Sequence, residues 1–505
     1  MEPEKSPGKC WANKKCQLKT GYWECKKDRV VVQFGGARPL TSRLAGTLAP
    51  PMPQNEPPPE IVKPWGGDKV TIKVPSVYKQ KFKLEIPGKK IKTGIVLASL
   101  WVAASVFADG IWLSSTNSLS YLGQQTSFGS GSITNPYYGD FDYILGHLVP
   151  SNTIVHLGEG TFWTKGNRPA AKSVITIPSG VTIQGDGQGV TTIKRSSTFT
   201  NVSLTVLGST NSGISVHDLT VDCNGSAYAL NSWTNVIIGI QLTGSGETIA
   251  QVTIINGYGI EYSNEGFQMI VGGYGEGDNK VIGCTTSNFL GNYGDGVAPT
   301  GDCVVEGNSF YFPVQPAGVG EFQLFGINVC GSAKGSIVID NYVYGGGDGF
   351  HNDTGGDDNL VIANNTFENV CQGVFLAGCS GPYHSAIISH NTMTMQTNYM
   401  VYHQQEFLVA VTAYYSGAIN QNIVIDGNIM RFYHDVPFTS DGSQGAIFFP
   451  TAPGGLNENI SVVNNQIDSR MLCTQYGAVS NLYVSGNIPL NGSSIPGLTN
   501  SVAGP

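Results

Sequence analysis

The chain has 505 residues, 66 of them Gly, with 13% charged and 10% aromatic residues and a formal net charge of −8. Hydrophobic residues at 40% are too many for wholesale disorder and, scattered in short runs, do not describe a polytopic membrane protein. Gly at nearly twice its usual share, without a three-residue period, excludes collagen and indicates an all-β chain rich in turns.

The charge divides the chain near residue 92. Residues 1–92 hold 19 Lys and Arg against 8 Asp and Glu, whereas 93–505 hold 9 against 28. The first segment has no sustained apolar periodicity and contains the Pro-dense runs Ala49–Pro53 and Glu56–Glu60. It reads as a basic, mostly unpacked leader, or as sequence upstream of the true start. Cys10, Cys16 and Cys25 form no CxxC pair, so a zinc site is the lesser reading. Basic charge suits nucleic acid, but no nucleic-acid motif accompanies it, and none is expected as a partner.

Lys89, Lys90 and Lys92 precede Thr93–Phe107, fifteen residues without a charge. That is short of the roughly twenty a bilayer span needs. Charged then apolar, and ending in Val106-Phe107-Ala108, the 93–108 segment has the shape of a secretory signal peptide. The expectation is export with cleavage near Ala108-Asp109, leaving no stable membrane span; a buried helix or a stop-transfer anchor is the alternative. Downstream, seven scattered cysteines cannot all pair, so no disulfide framework is expected, although Cys371 and Cys379 could bridge one loop.

After a lead-in over 109–145, one pattern recurs to about residue 490, with 491–505 left as a tail. Short β-branched runs end in Asn or Asp followed by an apolar residue, as in SIVIDNYVY (336–344), NLVIANNTF (359–367) and NIVIDGNIM (422–430). The marker residues are Asn288, Asn308, Asn341, Asn365, Asn391, Asn428, Asn465 and Asn487, spaced by 20, 33, 24, 26, 37, 37 and 22 residues. A minimum near twenty with variable insertions describes the coils of a solenoid over 146–490. Its strands stack in parallel, so the markers form an Asn ladder in turns that tolerate left-handed backbone.

The run VHLGEGTFWTKG (155–166), then VITIPSGVTIQGDGQGVTTIKR (174–195), then the Asn-marked coils, resembles the pectin-lyase-like superfamily. That resemblance implies an all-β, single-stranded right-handed parallel β-helix. It also implies exported proteins that handle polysaccharides: glycoside hydrolases, lyases, and binding-only adhesins or tail fibres. The fold alone does not choose among them.

Residue chemistry narrows the choice. Uronate lyases need cations for substrate carboxylates, and 93–505 offers only nine Lys and Arg within a strongly acidic chain. A polygalacturonase-like reading finds Asn352-Asp353-Thr354 in place of NTD and Gly356-Asp357-Asp358 for the second motif, but no GHG or RIK. The densest ionisable cluster is 345–358, with Asp348, His351, Asp353, Asp357 and Asp358. Paired carboxyls of this kind perform inverting glycoside hydrolysis. The competing reading is a solvated Gly-Asp turn, with Ca2+ as its only conceivable cofactor.

Counting seven residues back from each marker places Lys334, Asp358 and His384 in one polar column, followed by Gln421 and Glu458. Glu321 and Asp353 are expected to face each other on adjacent coils. Candidate catalytic residues are thus Asp353, Asp358, His384, Asp348 and Asp357. Lys334, Glu321, His351, Tyr344 and Tyr383 are candidates for substrate contact. The expected activity is hydrolysis of a neutral or weakly charged extracellular glycan, with binding alone as the rival.

Overall fold

The computed structural model describes the strands Cys16–Lys19 and Tyr22–Cys25 and most of 110–498. Outside the described residues lie the rest of 1–109, and 167–176, 198–203, 228–236, 260–265, 272–276, 292, 314–322, 330–334, 353–358, 378–380, 396–405, 414–416, 433–443, 477 and 499–505. The chain divides into two units, Met1–Ile91 and Lys92–Pro505. In the first, the two strands pair antiparallel, with Cys16 opposite Cys25 and Lys19 opposite Tyr22. The signal-like segment 93–108 lies outside the described residues. Among the described residues no helix is long and apolar enough to cross a membrane.

The second unit is a parallel β-helix whose coils each contribute three strands. One coil runs Asp348–Asn352 on a first face, Leu360–Ala363 on a second and Thr366–Val370 on a third, before Gln372–Leu376 opens the next. Alternating apolar residues turn inward on all three faces, as the two-residue period of a strand requires. Val338, Ile362 and Ile388 sit side by side on the second face, each wholly buried. The parallel stack begins at Ile111–Leu113, which pairs with Ile154–Leu157. The short helix Phe141–His147 buries Phe141, Ile144 and Leu145 in the same core, with Phe141 against Phe162.

The turn between the second and third faces holds the Asn ladder. Each amide Nδ2 donates to the next Oδ1, from Asn308 through Asn341, Asn365, Asn391, Asn428 and Asn465 to Asn487, at 2.9–3.0 Å. Each Nδ2 also donates to a backbone carbonyl, Val338 for Asn365 and Ile362 for Asn391. Each Oδ1 accepts in addition the N–H of the preceding ladder Asn. The residue just before each rung takes the left-handed conformation, as at Asp340, Asn364, His390 and Gly427, which opens the turn tightly enough for the amide to point inward. The ladder starts one residue type later than the markers suggested. Asn288 is exposed, and the position before Asn308 belongs to Cys284, whose N–H donates to the Asn308 Oδ1.

One inward column on the second face departs from apolar chemistry. It runs Ile214, Glu247, Asn279 and Cys303, and the Cys303 N–H donates to the Ser336 hydroxyl. Glu247 is wholly buried; its Oε2 accepts the Ile214 N–H at 3.0 Å, and its own N–H donates to Asn279 Oδ1. Burial raises its carboxyl to about 8, against the pull of the backbone N–H bonds, so it is held mostly as the neutral acid at pH 7. Cys223, Cys284, Cys303, Cys371 and Cys473 are buried free thiols. The loop bridge imagined for Cys371 is therefore not made, and Cys379 lies outside the described residues.

Candidate functional site

The first face bends within each strand, and the bend is built on glycine. Gly296, Gly326, Gly349 and Gly373 occupy equivalent positions, where an added Cβ would press into Phe310, Val343, Phe367 and Met393 of the core. The residue after each glycine is also core: Val297, Ile327, Phe350 and Val374 are wholly buried. Two successive inward positions throw the flanking residues to the outer side. Four-residue segments therefore align: Asp295-Gly-Val-Ala298, Phe325-Gly-Ile-Asn328, Asp348-Gly-Phe-His351 and Gln372-Gly-Val-Phe375.

The first and fourth residues of these segments interdigitate across coils. Asn328 Nδ2 donates to Asp295 Oδ2 at 3.0 Å. The Phe325 ring stacks on His351 with centroids 4.2 Å apart and planes 11° from parallel, and Phe375 meets the same imidazole edge-on at 5.1 Å. His351 Nδ1 lies 2.5 Å from Asp348 Oδ2. The carboxylate can only accept, so Nδ1 is the nitrogen that donates to it. Further along, Phe375, Ala377, Phe407, Ala410 and Phe448 form an apolar cluster separate from the main core. Phe407 and Phe448 stack at 4.5 Å.

This outer row of side chains, the candidate groove, is polar at one end and aromatic at the other, and its members are buried. Asp295 is 0% exposed, His351 2% and Asp348 6%. None of the first-face strands from Leu204–Ser209 to Leu472–Tyr476 contains a Lys or Arg. Asp295 and Asp348 occupy one column with Phe325 between them, two inter-strand spacings of about 4.8 Å apart. Among the described residues no group of three His, Cys, Asp or Glu side chains is arranged to hold a metal ion.

The residues singled out from sequence fall in different places. Asp348 and His351 sit together in the groove. Tyr344 is on the third face, paired with Tyr311 and Glu368, and does not reach the groove. Tyr383 is a core residue, wholly buried, with its hydroxyl donating to the Asn352 carbonyl; it presents no ring to a sugar. Phe350 likewise fills the core. His384 is exposed on the approach to the second face, where the Tyr383 carbonyl accepts the Gln421 N–H. It therefore stands beside Gln421, which in turn bonds Glu458 at 2.9 Å, in the polar column anticipated there and away from the groove. Lys334, Glu321, Asp353, Asp357 and Asp358 lie outside the described residues. Asp295 and Asn328 were missed because each is a lone polar residue inside an apolar strand. The repeated x-Gly-apolar-x segment would have found both.

No family model matches the chain, and no curated protein matches its sequence. Solved structures do. The A-module of an Azotobacter vinelandii mannuronan C-5 epimerase matches at 16% identity and TM-score 0.32, over 69% of this chain and 91% of that one. The Dettilon tailspike protein matches at 14% and 0.45, over 68% of this chain and 61% of the tailspike. A Yersinia enterocolitica family 28 exopolygalacturonase matches at 10% and 0.39, over 77% and 80%. At these identities the likeness is one of fold. By its own strand pairings the chain is a parallel β-helix with three strands to a coil.

Proposed function

We propose that this protein is an exported glycoside hydrolase acting on an extracellular polysaccharide, with its chemistry in the first-face groove. The observation that carries the reading is the pair of carboxylates, Asp295 and Asp348, on one column with a single strand between them. Their column spacing of two strands, about 9–10 Å, meets the upper end of the roughly 6.5–9.5 Å that inverting hydrolases use to admit a water. Asp295, which accepts the Asn328 amide N–H, acts as the base that takes a proton from that water as its oxygen bonds to the anomeric carbon. The glycosidic C–O bond breaks, and His351, charged on both ring nitrogens and paired through Nδ1–H with the Asp348 carboxylate, gives its Nε2 proton to the leaving oxygen and is left neutral. Phe325 and Phe375 hold the imidazole plane between them.

The test is reducing-sugar release across plant, algal and bacterial glycans, with the anomer of the first product read by NMR. Inversion is expected, and Asp295→Asn and Asp348→Asn should each lower turnover by about 10²–10⁴-fold while the fold persists. Retention, or unchanged turnover in both variants, rules out this pair. A second reading is a binding-only solenoid, in which the varied amide, imidazole and aromatic side chains of this face hold a glycan without cleaving it. Glycan binding without turnover would select it.

A further inference from the structure

We infer that Asn328 is the residue that reads the substrate in this groove, and that the sugar it reads there is neutral, offering a hydroxyl and not a carboxylate. The inference rests on the reading of the groove as the glycan site. Asn328 is 4% exposed, and its Nδ2 donates to Asp295 Oδ2. The carboxylate accepts only, so it settles which end of the amide faces it, and the other end must be the carbonyl oxygen. Among the described residues no group donates to that Oδ1. A buried acceptor left without a donor is costly, and native cores rarely keep one without a use.

On this reading the donor that completes Asn328 is a substrate hydroxyl, and the residues around it restrict what that donor can be. The strand on one side of Asn328 carries Asp295 and the strand on the other carries the Asp348–His351 pair. Two carboxylates and an amide oxygen attract hydroxyl donors and repel a uronate. No Lys or Arg stands in any first-face strand to reverse that preference. A site built to accept a hydroxyl discriminates steeply, because the wrong ligand leaves its buried acceptor unpaired.

The experiment uses the full chain and matched soluble oligosaccharides of equal length: neutral galacto-, manno-, gluco- and xylo-oligomers against galacturonate and mannuronate oligomers. Binding is read by calorimetry and cleavage by product analysis, for the wild type and for Asn328→Ala. Expected is a neutral oligomer bound at least about tenfold more tightly than the uronates. In Asn328→Ala the preference narrows and KM, or Kd, rises by about 10–100-fold. A residue that only positioned Asp295 would lower kcat and leave the neutral-to-uronate ratio unchanged, and that result overturns the proposal. So does a uronate oligomer bound or cleaved in preference, which would leave the hydrolase reading standing. A neutral oligomer bound but never cleaved removes the hydrolase and keeps Asn328 as a binding residue. No binding by any oligomer removes both.

Discussion

The two sides of each coil obey different rules. At the turn between the second and third faces, every polar atom of the Asn ladder has its partner within the protein, and the same three bonds repeat from coil to coil. On the outer side of the first face nothing repeats but the backbone. Aspartate, phenylalanine, aspartate and glutamine follow one another in one column, asparagine, histidine and phenylalanine in the next. Uniform chemistry with complete hydrogen bonding is what a stacking device needs. Varied chemistry on a uniform backbone is what a recognition surface needs, because each coil then offers a different group at a fixed spacing. The ladder holds the coils in register, and the groove spends that register on position.

If that division is right, damage to the frame should far exceed damage to the groove. The largest effect is expected from Ile362→Asp, which puts an unpaired charge among wholly buried Val338 and Ile388. It should cost more than about 4 kcal/mol and abolish the cooperative thermal transition in circular dichroism. Next comes Asn365→Ala. It removes two side-chain bonds and leaves the Val338 carbonyl and the Asn341 N–H without this partner, a loss of about 2–4 kcal/mol measurable by urea titration. Asp348→Asn, by contrast, should leave that titration nearly unchanged while activity falls; equal losses of stability in both variants would erase the distinction.

The smallest effect concerns Glu247, a polar residue placed in the frame and not in the groove. Its folded carboxyl is raised from 4.5 to about 8 by burial, so the folded state keeps a proton that the unfolded chain releases. Stability is therefore highest below about pH 4.5 on this account, and declines as the pH rises toward 8. Glu247→Gln keeps the shape and removes the titration. Its melting temperature should exceed that of the wild type at pH 8, and the two curves should converge below about pH 4.5. Parallel curves across that range would show that Glu247 does not titrate as described.

The frame was legible because its signal is repeated. Seven of the eight asparagine markers are rungs, and the exception, Asn288, fails for a reason. The first rung needs only something small and buried to precede it, and Cys284 meets that requirement without resembling Asn. The groove was legible only where ionisable residues crowd together. Asp348 and His351 stood out in GGGDGFHND, whereas Asp295 in YGDGVAP and Asn328 in QLFGINV each looked like a break in a strand. Tyr383 misled in the opposite direction: as an aromatic flanking the ionisable cluster it was a candidate for substrate contact, yet its ring fills the core and its hydroxyl donates to a backbone carbonyl. Spacing along the chain reports stacking well. It does not report which of two adjacent residues turns inward at a bend.

The Asn ladder also has a polarity. In the bonds between rungs, each Nδ2 from Asn308 to Asn465 donates to the Oδ1 of the next coil toward the C-terminus, without reversal. The amide dipoles therefore point the same way, and each hydrogen bond polarises the next, as in any chain of aligned donors and acceptors. An interior rung is reinforced from both directions and a terminal rung from one. Asn365, near the middle, stands to lose more than its own bonds when it is removed, whereas Asn487 ends the row. The solenoid thus carries along its length a line of aligned dipoles whose strength depends on its continuity.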